Sequence, residues 1–454
     1  MMFKTSQILT QFAVLSLGAS LLVTACGSSS DDNASTAGSA SGGATHAGGA
    51  GTAGAKNMPQ GGAADAGTGA GGAAQTGDSG ATDTIGAAGA AGAAGADGND
   101  DEVQYVADLE GYSQNPRIVT TATGSATLSL SADKKTLSYH VKQNVTNATK
   151  AHIHLGAAGE NGAVVYPLEP LSADMTGSIT LTGATDLDSL DAGKFYINVH
   201  STLDADGEIR GQILHPNETL YVATMTPGQE TPPTTATSSG TAQLIVNADK
   251  LGFRYHVQST ITAPTAAHIH KGIAGVAGAP IHPFVAAQTI DGMSSFAAGE
   301  ADDLQHGRWY VNVHTTANAA GEVRGQLMLP GELLYGAVLA GANETPAVVS
   351  GATGNGEFIL SPDQKSVRYE LALFGLMPTL AHIHKGAVAV AGPVVYPLTL
   401  VDGYANTPLA TAGAFGTISI MPADVTDLNA GLWYANAHST AFPTGATRGQ
   451  IGAL

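Results

Sequence analysis

A single cysteine in 454 residues, Cys26, leaves no intramolecular disulfide to staple a fold and no second thiol for dithiol chemistry. Cations are scarce as well. There are 18 Lys and Arg against 37 Asp and Glu, a formal charge of −19, and no basic cluster, so a polyanion such as nucleic acid is repelled. Charged residues make up only 12% of the chain and aromatic residues 6%. The apolar run near the start, Phe12–Val23, falls short of the ~20 residues a bilayer-spanning helix needs. No stretch shows a convincing helical period. A Ser-His-Asp order, a P-loop and a dinucleotide fingerprint are all missing, which removes the usual sequence support for hydrolase or nucleotide chemistry.

What is present begins with an export signal. Lys4, the run Phe12–Val23 and the small pair Thr24-Ala25 read as a secretory signal over residues 1–25. Leu22-Val23-Thr24-Ala25-Cys26-Gly27 resembles the lipobox of bacterial lipoproteins, which implies that Cys26 is lipidated and becomes the new amino terminus. Several acyl chains, at ~0.8 kcal/mol per buried methylene, anchor a protein stably where one does not. The resemblance further implies the outer membrane or cell surface, because Gly27 rather than an acidic residue follows the cysteine. The expected partner is therefore a membrane, through Cys26. Residues 26–102 are Gly, Ala, Ser, Thr and Asp with few large apolar side chains, a composition that cannot bury enough surface to offset chain entropy. They read as a disordered tether.

The rest of the chain is one unit written three times. Ala151-His152-Ile153-His154-Leu155-Gly156 returns as Ala267-His268-Ile269-His270-Lys271-Gly272 and as Ala381-His382-Ile383-His384-Lys385-Gly386. Each copy is followed by a second block, Tyr196–His200, Tyr310–His314 and Tyr434–His438, and then by Arg-Gly-Gln beginning at Arg210, Arg324 and Arg448. The period is that of a whole domain, far beyond the roughly 20–50 residues of a solenoid repeat. The expected repeats are 103–216, 217–331 and 332–454. Short alternating runs such as Ala126–Leu130, Leu137–Val141 and Gly177–Leu181, separated by Gly, Asp and Pro turns, predict antiparallel strands. The expected fold class is all-β: three tandem antiparallel β-sandwich domains of the Greek-key kind.

Strand parity places the chemistry. If Phe195, Ile197 and Val199 point into the core, then Tyr196, Asn198 and His200 share the other face; likewise Ala151, Ile153 and Leu155 oppose His152 and His154. Side chains two apart on one strand face can reach a common point, so His152, His154 and His200 form one candidate metal site. His268, His270 and His314 form a second, and His382, His384 and His438 a third. Neutral imidazoles suit copper or zinc, and three nitrogens leave a position open for another ligand. His282 aligns with Tyr166 and Tyr396 and is a candidate fourth ligand in repeat 2. The alternative is that the imidazoles hydrogen-bond one another, a Tyr, an Asn or loop carbonyls and so pin loops over the sheet. Arg210, Arg324 and Arg448 either steer an anion or brace backbone carbonyls. Asp204-x-Asp206-Gly207-Glu208 reads as a turn rather than a calcium loop, because its counterparts in the other repeats lack the ligands.

The paired blocks, from Ala-His-Ile-His to Asn198-Val199-His200-Ser201 and Gly207-Glu208-Ile209-Arg210-Gly211-Gln212, resemble the CHRD domain, a module named from chordin and found in bacterial exported proteins. The resemblance implies a β-sandwich related to Cu/Zn superoxide dismutase, with a His-x-His and a later third His similar to that enzyme's copper pattern. It brings no established catalytic activity. Repeat 1 has Gln114 where the others have Glu230 and Glu344, and repeat 3 has Ala446 in place of Glu208 and Glu322. The expectation is an exported, membrane-anchored, non-catalytic lipoprotein whose three modules bind a protein or matrix component, with one copper or zinc ion per repeat. The runner-up is a copper-dependent, dismutase-like or copper-buffering protein.

Overall fold

The computed structural model describes residues 102–401, 404, 406 and 410–454. The signal, the tether and Cys26 lie outside them. In repeat 1 the strands are β1 (Val103–Glu110), β2 (Thr123–Leu130), β3 (Thr136–Gln143), β4 (Ala148–Leu155), β5 (Ala163–Pro167), β6 (Asp174–Thr180), β7 (Phe195–Ser201) and β8 (Ile209–Gln212), with helix α1 (Ala184–Asp191) before β7. Alternation sets the faces: Tyr105, Ala107 and Leu109 of β1 are buried while Gln104, Val106 and Asp108 between them are exposed. Two four-stranded antiparallel sheets result, β5-β4-β7-β8 and β1-β2-β3-β6. Leu128 and Val141 from one sheet meet Ile153 and Ile197 from the other in a single core, each fully buried apolar side chain contributing about 1.5–3 kcal/mol. The sheets touch at one corner, where Glu110 of β1 pairs with Arg210 of β8.

Repeat 2 repeats the plan with β9 (Thr219–Met225), β10 (Gly240–Val246), β11 (Gly252–Ser259), β12 (Ala266–Lys271), β13 (Ala279–Phe284), β14 (Thr289–Ser295), α2 (Glu300–Gln305), β15 (Trp309–His314) and β16 (Val323–Gln326). Repeat 3 has β17 (Leu333–Ala340), β18 (Thr353–Leu360), β19 (Ser366–Phe374), β20 (Leu380–Lys385), β21 (Val394–Leu398), β22 (Leu400–Val401), β23 (Ala412–Ser419), α3 (Pro422–Asn429), β24 (Trp433–His438), β25 (Thr447–Gln450) and β26 (Gly452–Ala453). The all-β sandwich reading therefore holds in all three copies. Phe195, Trp309 and Trp433 occupy the same buried position at the start of β7, β15 and β24.

The three short helices are a departure from the absence of helical period in the sequence. Each is closed at its start by an acidic side chain that accepts a backbone N–H: Asp186 from Thr182, Glu300 from Ala297 and Asp424 from Met421. At six to eight residues they span about two turns, too few for a periodic pattern to register, and they persist by packing rather than by propensity.

Consecutive repeats dock in one manner. The loop after β4 lays Ala157 and Ala158 on the sheet β14-β11-β10-β9 of repeat 2, where Ala158 N–H donates to Gln243 Oε1 at 2.7 Å. The loop after β12 does the same on repeat 3, where Ala274 N–H donates to Glu357 Oε2 at 2.7 Å.

Candidate metal centre

β4 and β7 are hydrogen-bonded neighbours with His152 opposite Asn198 and His154 opposite Tyr196. Parity is as expected: Ala151, Ile153, Phe195, Ile197 and Val199 join the core, leaving the three histidines on the other face. Leu155 departs from it and is 39% exposed, since β4 ends there and the chain turns into the docking loop. The polar face of β7 is nonetheless covered, because the loops on either side fold back over it and every residue of the strand is buried.

The rings converge in every repeat. Three groups, His152/His154/His200, His268/His270/His314 and His382/His384/His438, each present one nitrogen per ring with all three nitrogens within 4.8 Å of one another. The first and third rings approach most closely: His152 Nδ1 to His200 Nε2, His268 Nδ1 to His314 Nε2 and His382 Nδ1 to His438 Nε2 are each 3.2 Å. Two nitrogens bound to one ion at about 2.0–2.1 Å in a tetrahedral shell stand about 3.3 Å apart, so this separation suits a shared ion as well as a hydrogen bond.

The outer nitrogens determine which lone pairs face inward. His154 Nδ1 lies 3.0 Å from the Gly162 carbonyl, His270 Nδ1 2.9 Å from that of Gly278 and His384 Nδ1 3.0 Å from that of Gly392. The third histidines repeat the device: Nδ1 of His200, His314 and His438 lies 2.9, 3.1 and 3.1 Å from the carbonyls of Ala205, Ala319 and Pro443. A carbonyl only accepts, so these Nδ1 atoms carry the proton and each Nε2 keeps its lone pair, aimed at the cluster. In all three repeats the Nε2 of the second histidine, His154, His270 or His384, is buried with no hydrogen-bond partner. Burial also favours the neutral form of seven of the rings. It lowers the pKa of His154 and His384, takes that of His270 down to about 4, and lowers those of His152, His268, His382 and His314.

Two supports were not read from the sequence. The carbonyls that orient the second histidines belong to glycines eight residues downstream, and a Cβ there would sit 1.6–1.7 Å from the carbonyl oxygen of Leu155, Lys271 or Lys385. Only glycine fits such an approach. The backbone N–H of each glycine donates to Tyr196, Tyr310 or Tyr434, at 3.1, 2.9 and 3.0 Å, and the same Tyr ring stacks on the histidine at 4.9–5.0 Å. The constant spacing from histidine to glycine in three copies was a legible signal.

Arg210, Arg324 and Arg448 brace rather than steer. Each guanidinium lies 3.4–3.5 Å from the centroid of that Tyr ring and donates to carbonyls of the docking loop: Ala157 and Glu160, Ile273 and Val276, and Ala387. The result is a stack of Arg, Tyr and His that ties the docking loop to the histidine cluster. Glu230 and Glu344 each accept from the Asn of the second block, Asn312 or Asn436, while Gln114 donates to Asn198. Burial pushes Glu230 up to about 7. Around Asp204 the chain makes a turn closed by Gly207 N–H on the Asp204 carbonyl.

His282 lies apart from the cluster. It packs on Phe253 and Trp309 and bonds Ser294 through Nδ1 at 3.0 Å and Glu300 through Nε2 at 3.2 Å. Tyr166 and Tyr396 hold Asp186 and Asp424 in the other repeats, so this position is a strut to the acid that closes the helix start.

Among known proteins, the family model of the CHRD domain matches residues 105–213, 221–327 and 335–451. No curated protein and no solved structure matches the chain.

Proposed function

The chain belongs to the CHRD domain family, in three tandem copies, and from that premise we propose that each copy is a metal-binding module holding one copper or zinc ion through His-x-His and the third histidine. The observation that carries the reading is the unpartnered, buried Nε2 of His154, His270 and His384. A buried acceptor left unmade costs about 1–3 kcal/mol, and here the same cost recurs three times, beside two further nitrogens that can share a ligand. An ion removes it. His152, His268 and His382 would ligate through Nδ1 and the other six rings through Nε2, leaving a position open for an exogenous ligand. Neither of the two carboxylate positions is kept in all three copies, since Gln114 and Ala446 break them; this supports a binding role over catalysis. With Cys26 lipidated and residues 26–102 as a tether, the modules would stand off a membrane and engage a protein or matrix partner with the avidity of linked sites.

The test is elemental analysis of the purified chain after exposure to copper or zinc and removal of excess metal. The expected result is near one ion per repeat, lost when His154→Ala, His270→Ala and His384→Ala are combined, together with a rise in Tm on loading that the triple variant lacks. Metal content that is negligible, or unchanged in the triple variant, defeats the proposal.

A further inference from the structure

Among the described residues, the docking loop is occupied in repeats 1 and 2 and bare in repeat 3. Ala158 and Ala274 are buried against the next repeat, whereas Ala387 to Ala391 are all exposed, with Val388 at 73% and Val390 at 52%. The turn after the helix behaves likewise. A Cβ on Gly193 would meet Ile245 of repeat 2 and one on Gly307 would meet Ile359 of repeat 3, while one on Gly431 meets nothing within 4 Å. Arg448 still clamps the bare loop through the Ala387 carbonyl, so its shape is retained.

Among the described residues, the receiving face is occupied in repeats 2 and 3 and bare in repeat 1. Strand register aligns Ser125 and Thr127 of β2 with Thr241 and Gln243 of β10 and with Asn355 and Glu357 of β18. Gln243 and Glu357 are buried under the docked loops; Thr127 is exposed.

We propose that the bare loop of repeat 3 docks on the bare β1-β2-β3-β6 face of repeat 1 in a second copy of this chain. The established junctions supply the geometry, and the substitutions at the two free ends are complementary in size. Inside the chain a small loop residue faces a large sheet residue: Gly159 against Thr241 and Gly275 against Asn355, where an added Cβ would come within 3.2 and 3.1 Å. At the free ends the loop is larger, with Ala389 in the glycine position, and the sheet is smaller, with Ser125. Ala389 adopts the same left-handed turn, at φ 60°, against 86° and 77° for the glycines. Charge varies in step as well. Lys194 and Arg308 cross their junctions to Asp291 and Glu370. Leu432 replaces the cation at the free end, and Thr176 and His140 replace the carboxylates on the free face. At these two positions neither end strands a charge against the other. The face of repeat 1 is otherwise polar, with Ser129 and Lys142, as suits an interface that forms and separates. Because the two surfaces differ, the contact is heterologous and generates chains or rings rather than a two-fold dimer.

Sedimentation velocity over a concentration series tests this, with Cys26→Ser in every sample so that acyl chains do not drive association. The unaltered surfaces should give species larger than a dimer at up to about 100 μM. Val388→Glu on the loop or Thr127→Glu on the face should each weaken association at least about tenfold, with circular dichroism and Tm unchanged, since both sites are exposed. An equimolar mixture of the two variants should form dimers and stop there, because each retains one intact surface. A monomer at all concentrations, association indifferent to Val388→Glu, or a mixture that fails to pair overturns the proposal.

Discussion

At the junction of repeats 1 and 2 the docking loop gives its Ala158 N–H to an amide, Gln243; at the junction of repeats 2 and 3 the corresponding Ala274 N–H goes to a carboxyl, Glu357. The neighbouring strand differs in sign too. His256 of β11 bonds Asp291 of its own sheet and Glu160 of the incoming loop, with Lys194 reaching Asp291 at 2.7 Å. The matching residue of β19 is Glu370, which receives Arg308 at 2.8 Å and Tyr404 Oη at 2.7 Å. Apolar contacts follow suit. Ile273 and Val276 join Ala372 and Tyr404, and Ala274 joins Leu334 and Ile359, in clusters that straddle only the second junction. One backbone geometry thus accommodates two chemistries, and the second junction is the more apolar and the more dependent on a single cation.

That contrast can be broken most severely at Arg308. Arg308→Ala leaves Glu370 buried without its counter-charge, and should cost about 3–5 kcal/mol in denaturant unfolding. Lys194→Ala at the first junction removes an ion pair whose Asp291 is half-exposed, and should cost less than about 1 kcal/mol. Equal effects would mean the junctions are not distinct in this way.

Exchanging the acceptors sharpens the comparison. Burial pushes Glu357 up to about 8, with Glu370 adding to it. A carboxyl raised from 4.5 in the unfolded chain contributes fully below pH 4.5, and its contribution is lost as pH rises to about 8. Glu357→Gln, which copies Gln243, should flatten that dependence and stabilise the protein above pH 8 by a few kcal/mol, since each tenfold change in an ionisation constant is worth about 1.4 kcal/mol. Gln243→Glu should impose the same dependence on the first junction. Calorimetric Tm against pH reads both, and a profile untouched by Glu357→Gln refutes the assignment.

The smallest effect belongs to His256. Desolvation lowers its pKa, but hydrogen bonds to Glu160 and Asp291 outweigh that and leave it raised. Its contribution is full below 6.5 and lost as pH climbs through the folded value, whereas those of Glu160 and Asp291, both lowered, are lost as pH falls below 4.5 and 3.8. In the Glu357→Gln background, Tm should therefore retain a shallow decline above pH 6.5 that His256→Asn makes shallower still, with an effect of about 1 kcal/mol.

Much of the site was legible in the residues alone. Three recurrences of His-x-His with a later Tyr-x-Asn-x-His named all nine histidines, and period-2 alternation put Ile153 and Ile197 inward with the imidazoles outward. The helices were not legible, because α2 offers six residues and one buried leucine. The role of His282 was misleading in one dimension, since a histidine in a tyrosine position looks like a ligand until Glu300 and Ser294 are seen on its two nitrogens. Its compensation was partly visible, as Ser294 stands where β6 has Ile179.

Composition, alternation and repetition by themselves determined that this is a string of three all-β modules with a histidine set in each, because those properties depend on residue type and local spacing alone. Which nitrogen of each ring keeps its lone pair, and which face of each sandwich is covered by its neighbour, was decided only by the tertiary structure. Both depend on backbone carbonyls and N–H groups brought together from distant loops, and every residue carries the same ones.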